Sequence, residues 1–146
     1  MAYKLNVKLI TLIIGIIVSA IIAPKNEFFL PNFLYFWLPQ GIIIGLLFVI
    51  KIDHRAIAGC AIIMTLHLIV YSLWISSPHN ALAWLGYLFS IPGAFVGALL
   101  VGLYLRRNQI QSSKLVITST AIGTFLGISI IQIGLCCTVL YCGIKC

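Results

Sequence analysis

The sequence predicts an all-α integral membrane protein: a bundle of about five transmembrane helices, N-terminus cytoplasmic and C-terminus outside. Three observations predict it. Hydrophobic residues make up 62% of the 146-residue chain and charged residues only 8%, against about 45–50% and about 25% in soluble domains. Apolar runs reach the eighteen or so residues that a membrane helix needs. The basic residues stand at the ends of those runs, as they do where positive charge sets topology. That placement also speaks against nucleic acid as a partner, despite a formal net charge of +7. Too little chain remains for an aqueous domain, so residues 1–146 read as one transmembrane domain.

The first span covers about 9–23 and follows Lys4 and Lys8. A basic stretch before a short apolar run resembles a signal peptide. Cleavage after Ala23, however, would place Ile21 at the minus-three position and Pro24 just beyond the cut, so an uncleaved helix is expected. The second span covers about 34–50. The segment EFFLPNFLYFWLPQ around its start holds Pro31 and Pro39 and reads as too interrupted for one straight helix. The remaining spans are expected at about 56–76, 81–105 and 115–141. The connections PKNEFFLPN, KIDHR, SSPHN and RRNQIQSSK are short enough to make successive helices antiparallel neighbours. With this layout Lys4, Lys8, Lys51, Arg55, Arg106, Arg107 and Lys114 fall on one side, and Lys25 and Lys145 on the other. Such asymmetry over short loops places the N-terminus inside.

Small residues recur at helical spacing. Gly86, Ser90, Gly93 and Gly97 form a narrow stripe on the fourth span, bordered by Ala94 and Ala98, with Pro92 inside it. The fifth span carries Ser119, Gly123, Gly127 and Gly134, the first Gly15, Ser19 and Ala23, and the second Gly41 and Gly45. In a membrane such stripes bring helices together or dock a partner. Gly86, Ser90, Gly93, Gly97, Gly123 and Gly127 are therefore the helix-packing or partner-binding candidates.

Three polar side chains fall at membrane depth: Gln40, His67 and Gln132. An intramembrane ionisable group is a functional suspect. The reading preferred for His67 is a neutral imidazole hydrogen-bonded to a glutamine amide on a neighbouring helix. Outer-end aromatics are concentrated at Tyr35, Trp37, Trp74, Trp84 and Tyr87. They form an interfacial belt, with Trp37, Tyr35, Trp74 and Trp84 doubling as candidates for outer-face recognition. Cys136, Cys137, Cys142 and Cys146 cluster near the outer end of span five. A disulfide among Cys137, Cys142 and Cys146 is plausible in an oxidising compartment, and the odd total of five leaves one thiol over.

Catalysis finds little support. The acids are Glu27 and Asp53, both in connections, so no Ser-His-acid set can form at membrane depth. The cysteines have no C-x-x-C pair, their spacing is not diagnostic of zinc, and the glycines lie inside apolar helices without the flanks of a phosphate loop. No enzyme activity, cofactor or metal is expected. The expected partners are the lipid bilayer and a membrane protein or a second copy of the chain, with the bacterial inner membrane the favoured location. The function that fits is non-catalytic protein binding within the bilayer or at its outer face, as an accessory subunit or an immunity protein against a membrane-active toxin. The alternative is a small oligomeric channel or carrier with Gln40, His67 and Gln132 on its path.

Overall fold

A computed structural model describes residues 13–23, 29–75, 83–110 and 112–138. All regular structure among them is helical: α1 (Ile13–Ile22), α2 (Phe29–Val49), α3 (His54–Ile75), α4 (Ala83–Arg107) and α5 (Ser113–Thr138). Three of these helices contain segments long and apolar enough to cross a membrane: His54–Leu73, Gly86–Arg107 and Ser113–Cys137. The chain is a membrane protein. The described apolar stretches of α1 and α2, Ile13–Ile22 and Phe33–Val49, are shorter.

The region around Pro31 and Pro39 departs from the sequence expectation. α2 is one continuous helix that starts at Phe29, ahead of both prolines. Pro31 falls in the first turn, where backbone N–H groups have no intrahelical acceptor to lose. Pro39 lies inside, gives up the bond its N–H would have made to the carbonyl one turn back and crowds that carbonyl with its ring, without ending the helix. Pro92 is likewise absorbed within a continuous α4.

α5 packs most extensively on α4 and next on α3, while α2 packs on α3 and α4. The glycines explain the first of these contacts. A Cβ on Gly97 would run into the carbonyl of Gly123, and one on Gly93 into that of Gly127. The converse substitutions at Gly127 and Gly123 meet the Gly93 carbonyl and the Val101 side chain. Backbones thus touch directly across α4 and α5, where close packing and weak Cα–H···O contacts replace a hydrophobic drive. Gly59, which the sequence did not single out, plays the same part between α3 and α5: its Cβ would lie 2.5 Å from the Ile117 carbonyl oxygen. The α5 stripe stops short of Gly134, where a Cβ would meet nothing within 4 Å.

Two helices end in the same device. Lys51 and Gln109 have φ of 60° and 51°. At the first, Ile52 N–H bonds the Leu47 carbonyl and Lys51 N–H the Phe48 carbonyl (3.1 and 3.0 Å). At the second, Ile110 bonds Leu105 and Gln109 bonds Arg106 (3.2 Å each). These are Schellman caps with a residue other than glycine in the left-handed position. Ile52 and Leu47, and Leu105 beside the second cap, are buried. Asp53 then caps α3, its Oδ1 accepting the Arg55 N–H at 2.9 Å. Arg106 reaches the Ile50 carbonyl at 3.5 Å, so the α2–α3 and α4–α5 connections adjoin. Lys51, Arg55, Arg106, Arg107 and Lys114 gather at this end of the bundle.

Candidate functional site

Four helices contribute polar side chains to one interior cluster. Gln40 on α2 is buried and donates from Nε2 to the Tyr87 hydroxyl on α4 at 2.9 Å. Tyr87 in turn donates to the Phe36 carbonyl at 3.4 Å, which leaves its oxygen as the acceptor and fixes the orientation of the Gln40 amide. His67 on α3 approaches Ser90 on α4, Nε2 to Oγ 2.8 Å. Ser90 has a single proton and gives it to the Tyr87 carbonyl at 2.6 Å. The network therefore assigns the proton on Nε2 of a neutral imidazole, which donates to Ser90. Gln132 on α5 donates from Nε2 to the Tyr71 hydroxyl at 2.6 Å. The His67 ring packs against both tyrosines, 5.1 Å from Tyr71 edge-on and 5.6 Å from Tyr87 in a stack, and the tyrosine rings are 6.0 Å from each other, so the three form a triangle.

The structure thus brings Gln40, His67 and Gln132 into one neighbourhood, but not into contact with one another. His67 bonds a serine rather than a glutamine, and each glutamine bonds a tyrosine. The physical reason is reach. Tyr87 and Tyr71 span the gaps between helix axes that a glutamine and an imidazole would otherwise have to close. Tyr87 is correspondingly not part of an interfacial belt, being 1% exposed. Its spacing from Ser90, three residues along the small-residue face of α4, is the signal that placed it inside. The space enclosed by Met64, His67, Tyr87 and Ser90 is too small to hold a water molecule. Gln132 Oε1 is buried with no hydrogen-bond partner among the described residues.

Of the outer aromatics, Tyr35 is exposed, while Trp37 turns back along α2, stacks on Phe33 at 6.5 Å and covers Gly41. The side chains of Trp74 and Trp84 lie outside the described residues, as do Cys142 and Cys146. Cys136 and Cys137 are both disulfide-bonded, and Cys60 is a free, fully buried thiol beside Met64. Gly86 is buried, as are Gly93 and Gly123, and Gly93, Gly97, Gly123 and Gly127 are all taken up by the α4–α5 contact. Among the described residues no three His, Cys, Asp or Glu side chains are placed to hold a metal ion.

A second feature adjoins the cluster. A cavity of about 340 Å³ opens between α1, α2 and α3, running from Gly15, Gln40 and Thr65 to Phe48 and His54. Compared with known proteins, the chain matches no family model, no curated protein and no solved structure.

Proposed function

We propose that this chain is a non-catalytic, multi-pass protein of the bacterial inner membrane that acts by binding another protein within the bilayer or at its outer face. An accessory subunit or an immunity protein against a membrane-active toxin has this character. The observation that carries the reading is the closed His67 cluster. Its imidazole is committed to Ser90 and flanked by tyrosines, with no room for water. A path for a solute or ion past Gln40, His67 and Gln132 would need that space. Basic residues gathered at the end that joins α2 to α3 and α4 to α5 support an N-terminus inside.

Since the α4–α5 glycines are spent within the chain, a partner would meet side chains on the outward faces. Photo-crosslinking amino acids at Tyr35, Phe125 and Ile130, which are 37%, 58% and 68% exposed, test this in native membranes. Ala98, fully buried, serves as the silent control. A single heterologous product from an exposed position is the expected result. Products formed only between copies of the chain would overturn the reading in favour of an oligomeric conduit.

A further inference from the structure

The cavity between α1, α2 and α3 has a polar end with unspent hydrogen-bonding capacity. Thr65 is 8% exposed and Gln40 3%. Other hydroxyls inside the bundle are satisfied by their own helix backbone: Ser19 bonds the Gly15 carbonyl, Ser72 that of Ile69, Thr120 that of Val116 and Thr124 that of Thr120. Among the described residues Thr65 makes no such bond and has no other partner, and Gln40 Oε1 has none either, its amide nitrogen being used on Tyr87. Both oxygens face Gly15, lying 3.7 and 3.8 Å from where a Cβ on that glycine would stand. One small polar group seated against Gly15 reaches both.

Depth and lining define what fits. From Gln40 to Phe48, α2 rises about 12 Å, and from His54 to Thr65, α3 rises about 16 Å. Counted from the basic end, the polar pair therefore sits near the middle of a hydrocarbon layer of about 30 Å. Among the described residues no Lys, Arg, Asp or Glu lines the cavity, and the one ionisable residue of that lining, His54, is at the far end. A carboxylate or phosphate at the polar end would be an uncompensated charge. A single hydroxyl matches instead, giving its proton to Gln40 Oε1 and accepting that of Thr65. The cavity volume of about 340 Å³ accommodates a body of about eleven groups at roughly 30 Å³ each.

We propose that this cavity binds a neutral long-chain alcohol, acyl or isoprenoid, drawn from the bilayer and seated with its hydroxyl on Gln40 and Thr65. Its chain lies along Trp37 and Gly45 towards His54.

The test uses the full chain in lipid nanodiscs and three diazirine probes of equal length: a long-chain alcohol, the matching alkane and the matching carboxylic acid. After illumination, labelled peptides are mapped by mass spectrometry. The alcohol should label the segments around Gly45 and Ala58 several-fold more than the alkane or the acid. Thr65→Val, which removes one neutral hydrogen bond, should lower that labelling roughly two- to tenfold. Gly45→Leu should abolish it, because nothing lies within 4 Å of a Cβ at that position and the side chain enters the empty volume. Helical circular dichroism and thermal unfolding of both variants establish that they are folded. Should Gly45→Leu misfold, Thr65→Val decides alone. Equal labelling by alcohol and alkane, or unchanged labelling in Thr65→Val, would overturn the proposal, and preference for the acid would replace it with an anionic ligand.

Discussion

Replacing Gly97 by alanine should separate α4 from α5, and the same replacement at Gly45 provides its own reference. A Cβ on Gly97 would come within 2.8 Å of the Gly123 carbonyl carbon and 3.3 Å of the Thr124 Cα, besides striking the Gly123 oxygen. Carbon atoms in contact sit about 3.5–4.0 Å apart, so the helices must part by about 0.7 Å or more. A gap of that size forfeits a quarter to a half of the dispersion energy at each contacting pair. Over some tens of pairs, at about 0.1–0.2 kcal/mol each, the loss is about 1 kcal/mol. Weakening two Cα–H···O contacts adds about 1–2 kcal/mol. Both substitutions gain up to about 1 kcal/mol of helix propensity, which cancels when they are compared. Gly97→Ala should therefore be about 2–3 kcal/mol less stable than Gly45→Ala, where a Cβ meets nothing within 4 Å. Reversible unfolding in mixed micelles, followed by circular dichroism, measures the difference. Two variants within 0.5 kcal/mol of each other would refute direct backbone packing across α4 and α5.

Other substitutions probe the caps and the polar cluster. Lys51→Gly should stabilise the chain by about 0.5–1 kcal/mol, because a left-handed φ of 60° is unfavourable for any residue with a Cβ; a lowered unfolding midpoint would contradict the cap. Asp53→Ala should cost about 1 kcal/mol by exposing the Arg55 N–H, in the same unfolding assay. Tyr87→Phe removes both the acceptor of Gln40 and the donor to the Phe36 carbonyl. It should destabilise by about 1–3 kcal/mol, whereas loss of an exposed tyrosine at Tyr104 should be close to neutral.

The sequence alone determined the class of this protein and most of its helices. A composition so rich in apolar residues cannot be covered by polar surface, and long apolar runs in lipid have helix as their way of satisfying the backbone. The stripes of Gly93 and Gly97 and of Gly123 and Gly127 were legible for the same local reason, since helical spacing alone puts each pair on one face of its helix. Spacing does not say which face meets which helix. Only the tertiary structure decided that the stripes of α4 and α5 meet each other, that Gly59 joins α3 to α5, and that Asp53, exposed in the α2–α3 connection, caps α3.

The same limit governed the interior. Gln40, His67 and Gln132 were identifiable because polar atoms stand out in apolar runs. Their partners were not, because Tyr71 and Tyr87 are amphipathic and suit an interface or a core equally well. Long side chains reach across helix axes, so the pairing depends on how the helices are rotated against one another. The cavity beside Gly15 and Thr65 has no sequence signature at all. It is what remains when small residues of three helices face a common gap that none of them fills.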